Sequence, residues 1–323
     1  MLPRRIIYAT NATPITGAGH LRRCIEIAKV MPKSIEAHIF GSIEIPWLKR
    51  LSTEVFVEAD YPDLYGNEDL IIVDSYEKEF CSQVDLRYPN SHLIQFADRY
   101  TPLIDRARLV FLDLPFVKEN LDDQLRTIAH GIEYLPVKRL RTKKREFQNK
   151  AKRVVITTGG VVNEEIFFQL HGELTRSIYK DIHFEFIGFP KTLPIDRENL
   201  RFTKLGNGLA KKIDYCDTAI SSAGSTMWDM LANELILGLV ALVDNQMANL
   251  EFAINSHQCV SIFEPKTLVL NVDNLKTLLF DQDFRSLFYN RINGKYDFDG
   301  AKRTSMKILK DFEDFFQKQF PRC

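Results

Sequence analysis

The chain has 323 residues, 45% of them hydrophobic, and its 43 lysines and arginines balance 43 aspartates and glutamates. That length exceeds one ordinary core and suits two domains of about 150 residues. Zero formal net charge excludes a global field that draws polyanions, so nucleic acid is not an expected partner. The cysteines Cys24, Cys81, Cys216, Cys259 and Cys323 are odd in number and form no C-x-x-C pair, which argues against a disulfide framework or a zinc knuckle. Met1-Leu2-Pro3-Arg4-Arg5 runs straight into a strand, and no stretch reaches the roughly 18 apolar residues of a membrane span. A cytoplasmic chain without an integral membrane segment is the expectation; the sequence does not set its oligomeric state.

Short runs rich in Ile and Val alternate with helical patterns, the signature of an α/β chain with covered parallel sheets. Strands are predicted near 5–10, 37–41, 54–57, 70–73, 93–96 and 109–112, with a first helix over 21–30. Residues 138–153 hold nine basic side chains and little apolar content, so 138–152 reads as a basic linker between a domain over 1–137 and a second over 153–323. The second half restarts with a strand from 153 and an amphipathic helix ending near 179. Further strands are expected near 183–188, 201–204, 218–221, 239–243 and 260–262, and 299–320 reads as one long final helix. The aromatic residues Phe312, Phe315 and Phe316 in that helix are expected to bury against the first domain.

Gly17-Ala18-Gly19-His20-Leu21-Arg22-Arg23 follows the first strand, where a glycine turn lets backbone N–H groups approach an anion and the next helix adds positive potential. The spacing is not the G-x-G-x-x-G of dinucleotide folds. His20 reads equally as a turn residue or as a base. Arg23 shares its helix face and suits a phosphate or carboxylate, or else a solvated surface. Asp74, in Asp74-Ser75-Tyr76, emerges at a strand C-terminus and is a candidate catalytic carboxylate. Thr157-Thr158-Gly159-Gly160 repeats the strand-then-glycine pattern, and Ser221-Ser222-Ala223-Gly224-Ser225-Thr226 forms a hydroxyl-rich turn before a predicted helix over 227–234. Asp229 in that helix is a candidate ribose acceptor or a helix-dipole carboxylate. Asn245 and Gln246 suit sugar or base recognition, or capping of the next helix. The D-x-D strings at Asp281 and Asp297 read as helix caps rather than metal sites, and H-E-x-x-H, P-loop and G-x-S-x-G motifs are absent.

The G-x-G-H-x-x-R element at Gly17–Arg23, Gly131-Ile132-Glu133-Tyr134, Arg145-Glu146-Phe147, Gly159-Gly160, Ala223-Gly224-Ser225-Thr226 and Asn245-Gln246 together resemble the PseG/SpsG family in order and spacing. That family contains UDP-2,4-diacetamido-2,4,6-trideoxy-β-L-altropyranose hydrolases of pseudaminic acid biosynthesis and a spore-coat polysaccharide branch, and it is MurG-like. The resemblance implies a GT-B fold, two Rossmann-like domains facing across a cleft, with UDP held largely by the second. It also implies metal-independent hydrolysis of a UDP-sugar at the anomeric carbon, with His20 as base and no cofactor. The chain departs from the family pattern at Ser75, at Ala97-Asp98 and at Asp229, where a glutamate is usual.

An unperturbed imidazole titrates near pH 6.5, where a base at C1 is needed, and the turn at 222–226 suits a departing diphosphate. The nucleotide-sugar contacts expected are Gly17, Gly19, Arg23, Thr158, Gly159, Gly160, Ser222, Ala223, Gly224, Ser225, Thr226, Asp229, Asn245 and Gln246. A GT-B glycosyltransferase uses the same parts with an acceptor hydroxyl in place of water, and a noncatalytic nucleotide-sugar binder keeps the second-domain turn without needing His20.

Overall fold

The computed structural model describes residues 2–13, 16–44, 56–58, 60–64, 69–97, 101–112, 127–160, 162–188, 198–204 and 208–319. The chain divides into two units, Met1–Pro136 with Asp299–Cys323, and Val137–Phe298.

The first unit begins with β1 (Arg5–Thr10), α1 (Gly19–Ala28), β2 (Glu36–Phe40), β3 (Phe56–Glu58) and β4 (Asp69–Asp74). It continues with α2 (Lys78–Arg87), β5 (His92–Ala97), β6 (Leu109–Leu112) and β7 (Thr127–His130). All pairings are parallel, in the order β3-β2-β1-β4-β5-β6-β7. Strand side chains alternate between the two faces of a sheet. Ile6, Tyr8, Leu70, Ile72, Ile94 and Phe96 therefore enter the core that holds α1, while Ile7, Ala9, Ile71, Val73 and Leu93 join Cys81 and Val84 of α2. Burial on both faces is why these strands read as continuous apolar runs.

The second unit holds β8 (Arg153–Thr157), α3 (Glu164–Leu174), β9 (His183–Ile187), β10 (Leu200–Thr203), α4 (Gly208–Tyr215) and β11 (Thr218–Ser222). There follow α5 (Ser225–Ala232), β12 (Ile236–Val240), α6 (Met247–Asn255), β13 (Cys259–Ser261), α7 (Val272–Phe280) and α8 (Gln282–Ile292). This sheet is also wholly parallel, ordered β10-β9-β8-β11-β12-β13. Counted from its own first strand, the second sheet runs 3-2-1-4-5-6, the Rossmann order, and the first runs the same with a seventh strand added at the edge; the topological switch point lies between strands 1 and 4 in each. Asp281 caps α8 by accepting the Phe284 N–H at 2.9 Å.

The last helix, α9 (Gly300–Gln319), differs from the expected domain assignment: it returns to the first unit. Ile308 and Phe312 are fully buried in the core beside α1, and Asp311 meets His92 Nε2 at 2.8 Å. Thr304 Oγ1 donates to the Tyr134 carbonyl at 2.9 Å, and Gly300 is a glycine because a Cβ there would strike the Leu135 carbonyl.

Residues 138–152, expected as a free basic linker, are instead strapped to the second unit. Asn233 Oδ1 accepts the Leu140 and Arg141 N–H groups at 2.8 and 3.0 Å, Asp214 accepts Thr142 N–H at 2.7 Å, and Asp217 accepts Lys152 N–H at 2.9 Å. Irregular backbone needs such partners wherever it is shielded from water, and side-chain acceptors supply them here. Arg145 donates to the carbonyls of Ile213, Asn233 and Cys216, so it fastens the segment within the second unit.

β12 also corrects the expected strand over 239–243. The apolar run from Leu235 to Val243 gives no internal boundary; the turn at Glu234 sets it, with φ of 61° and a carboxylate held by Arg141 and the Gly294 N–H. The expected strand over 54–57 begins outside the described residues, as do Asp98 and Cys323, whereas α2 and β7 were not anticipated. No helix among the described residues is long and apolar enough to cross a membrane.

Candidate active site

β1 and β4 are neighbours in register, Thr10 opposite Asp74, so the turn leaving β1 and the end of β4 meet at the switch point of the first sheet. Gly17 has φ of +75°, with open space where a Cβ would stand, and α1 starts two residues later without a side-chain cap. His20 lies in the first turn of α1, and its Nδ1 is 2.6 Å from Asp74 Oδ1. Arg23, one turn on, clasps the same carboxylate with both prongs, Nε to Oδ2 at 2.7 Å and Nη2 to Oδ1 at 2.7 Å. The Tyr76 ring stands edge-on to the imidazole at 4.2 Å, and the Arg23 guanidinium lies over Phe96 at 4.8 Å.

Asp74 is fully buried and His20 is 6% exposed. Burial pushes the Asp74 carboxyl up, but Arg23 and then His20 outweigh it by charge and hydrogen bonding and hold it well below the usual carboxylate range. An ionised Asp74 only accepts, so Nδ1 carries the proton of the neutral imidazole and Nε2 keeps the lone pair. Behind the carboxylate, Cys24 Sγ is 3.8 Å from Oδ2, and burial, together with the Asp74 charge, raises its thiol well above the ordinary range. That places Cys24 as an inert filler beneath the site.

In the second unit the turns after β8, β11 and β12 converge. Gly159 has φ of +87°, and a Cβ built there would lie 3.3 Å from Ser222 Oγ and 3.9 Å from Thr226 Oγ1. Ser222 Oγ donates to the Thr158 carbonyl at 3.0 Å. Gly224 precedes α5, which has neither a side-chain cap bond nor an acidic residue in its first turn, and its carbonyl accepts the Met227 N–H at 3.0 Å. Gln246 Oε1 accepts the Leu242 N–H at 3.0 Å, which turns Nε2 toward Gly224, 3.5 Å from a Cβ built there. Asn249 Nδ2 holds the Ala223 carbonyl at 3.0 Å.

The structure therefore gathers Gly17, Gly19, His20, Arg23 and Asp74 in one unit, and Thr158, Gly159, Gly160, Ser222, Ala223, Gly224, Ser225, Thr226, Asn245 and Gln246 around adjoining turns of the other. Two expected roles change. Arg23, read as a substrate phosphate or carboxylate ligand, holds a carboxylate of the chain itself. Asp229, read as a ribose acceptor or a helix-dipole carboxylate, is 3% exposed, and its Oδ1 accepts the Lys138 N–H at 2.9 Å, so it anchors the start of the 138–152 segment within the second unit. The sequence reading missed Asn11, which bridges this end of the first sheet by donating to Glu77 Oε2 and accepting from Ser42 N–H, each at 2.9 Å. It also missed Phe96 beneath Arg23. The strand order was the missing signal, since it alone makes the ends of β1 and β4 adjacent. Among the described residues no three His, Cys, Asp or Glu side chains are grouped to hold a metal ion.

No family model matches the chain, and no curated protein matches it. Solved structures do. The glycotransferase of kitacinnamycin aligns over 99% of this chain and 100% of its own at 9% identity, with a TM-score of 0.63. Acinetobacter baumannii MurG aligns over 95% and 100% at 14% identity with a TM-score of 0.61, and Arabidopsis thaliana UGT89C1 complexed with UDP over 95% and 100% at 10% identity with a TM-score of 0.64. Two parallel Rossmann-like sheets and these full-length likenesses give the chain a GT-B fold of the kind found in MurG and the UDP-dependent glycosyltransferases.

Proposed function

We propose that this chain transfers a glycosyl group from a nucleoside-diphosphate sugar to an acceptor hydroxyl, with inversion at the anomeric carbon. The observation that carries the reading is the His20–Asp74 dyad at the switch point of the first sheet. Nε2 of His20 takes the acceptor's proton as its oxygen bonds to C1. The C1–O bond to the diphosphate breaks with its electron pair leaving on the nucleotide. Positioned proton transfer of this kind contributes about 10²- to 10⁴-fold. Asp74 fixes the tautomer and stabilises the imidazolium as it forms.

The uncapped start of α5, the left-handed Gly159 and the hydroxyls of Ser222 and Thr226 suit the departing diphosphate, where amide donors stabilise developing charge. UGT89C1 was solved with UDP and with UDP-L-rhamnose, which supports UDP as the nucleotide here. A second reading, hydrolysis to UDP and free sugar, rests on the likeness of Gly17–Arg23 and the later motifs to the PseG/SpsG family. It differs only in giving His20 a water.

Incubation with a panel of UDP- and other nucleoside-diphosphate sugars, with and without candidate acceptors, separates the two by NMR. Acceptor-dependent release of nucleotide with an inverted glycoside supports transfer. Stoichiometric release into water supports hydrolysis. Binding without any release leaves the noncatalytic reading.

A further inference from the structure

Residues 138–153 carry nine cations and a single acid, Glu146. The bonds of the segment sort those cations into two groups. Arg141 turns in to Glu234 and Arg145 to three carbonyls, so both fasten the backbone. Arg139, Lys143, Lys144, Lys150, Lys152 and Arg153 stay exposed. Arg139 lies over Phe298 and Arg153 over Tyr215, whereas the four lysine ammonium groups have no ion-pair partner among the described residues.

The fold sets these charges along one edge. Asp214 and Asp217 before β11 and Asn233 before β12 hold the segment's backbone, so it follows the edge at which the parallel strands of the second sheet begin. The glycine turns after β8 and β11 leave from the opposite edge. The end of α8 reaches the lysine edge too, because the Gly294 N–H and the Arg141 guanidinium share Glu234. It adds Arg291 and Lys295, both exposed, and partial burial followed by the Arg291 charge lowers the Lys295 pKa. Exposed apolar side chains stand among the cations. Leu287 is one turn before Arg291 on α8, and the Tyr215 ring lies 5.4 Å from the Arg153 guanidinium and 5.5 Å from Lys212 Nζ.

We propose that this edge of the second unit is a docking surface for an anionic lipid leaflet. Lysine is a hydrated point charge without the planar fork by which arginine reads one phosphate, so unpaired lysines on a pinned segment suit a diffuse field of headgroups. Clusters of about four to eight lysines and arginines are what anionic leaflets attract. Firm attachment takes a second contribution besides charge, and Leu287 and Tyr215 supply apolar surface, the tyrosine with the polar tip that suits headgroup level. Nucleic acid is the competing polyanion, but its groove is read by bidentate arginines, and here Arg141 and Arg145 are already engaged by the chain itself. Docking by this edge leaves the glycine turns of the same sheet facing away from the lipid.

The test is sedimentation of the full chain with vesicles of phosphatidylcholine alone or mixed with phosphatidylglycerol. Binding should require the anionic lipid and weaken as salt rises. It should fall about fivefold for each lysine removed in the cumulative series Lys143→Gln, Lys144→Gln and Lys150→Gln. Those side chains are exposed and unpaired, so the unfolding temperature of each variant should match wild type. The triple change Lys33→Gln, Lys78→Gln and Lys310→Gln removes the same charge from exposed sites in the first unit and should leave binding nearly unchanged. Absence of binding to the anionic vesicles overturns the proposal, as does an equal loss in the first-unit control. Tighter binding to a DNA duplex than to vesicles at equal phosphate also overturns it. None of these readouts uses turnover, so failure of the proposed transfer leaves them standing.

Discussion

Ser222 Oγ donates to the Thr158 carbonyl at 3.0 Å, so one hydroxyl ties the end of β11 to the turn that leaves β8. Gly159 follows that carbonyl with φ of +87°, and a Cβ built on it would stand 3.3 Å from Ser222 Oγ and 3.9 Å from Thr226 Oγ1. An L side chain there is strained by about 1–2 kcal/mol and crowds the Ser222 hydroxyl. Gly159→Ala should therefore lower unfolding stability by about that amount and weaken UDP binding by about tenfold or more. Calorimetry of unfolding and of UDP titration checks both.

Asp74 gives a pH signature. Its folded-state carboxyl lies well below the ordinary value of about 3.9 that the unfolded chain restores. The stability it contributes is thus complete above about pH 4–5 and drains away as the pH falls toward the lower folded-state value. Against the wild type, Asp74→Asn should be less stable near neutrality, and the gap in Tm should shrink below about pH 4. Thermal unfolding of both proteins across the acid range measures it; a gap that widens in acid contradicts the assignment.

Asp229→Ala should act on stability and leave the nucleotide alone. Removing its carboxylate strands the Lys138 N–H in a part-buried position, at a cost of about 1–3 kcal/mol. The UDP dissociation constant should stay within about twofold of wild type. A tenfold weaker constant with unchanged stability would return Asp229 to the ribose.

Phe312 tests the ownership of α9. It is fully buried in the first unit's core and meets His92 edge-on at 5.7 Å. Phe312→Ala should cost about 3–5 kcal/mol, and hydrogen exchange should show the loss in β1, β4 and β5 rather than in the second sheet.

Much of this architecture was legible because parallel strands covered on both faces announce themselves as apolar runs: β1, β4, β5 and β8 fall where Ile and Val cluster. The glycine turns were equally plain, because Gly17 and Gly159 meet a backbone demand that few other residues satisfy. Side-chain partnerships were not legible. Nothing local to Arg23 says that its partner lies 51 positions on, since that pairing exists only through the adjacency of β1 and β4. Asp229 misled for the same reason: its place in the helix suits a ribose contact, and only the path of residues 138–141 reveals that backbone has already claimed it. The strand β12 was misplaced because Glu234, a residue with no intrinsic taste for positive φ, makes the turn with help from Arg141 and Gly294.

In the proposed transfer His20 accepts the nucleophile's proton and takes no part in holding the nucleotide. It is tested most directly by nucleotide release from saturating UDP-sugar in wild type and His20→Asn, beside the UDP dissociation constant of each. Turnover should fall by about 10²- to 10⁴-fold with UDP affinity unchanged. Turnover that survives the substitution, or an equal loss in UDP binding, would contradict it.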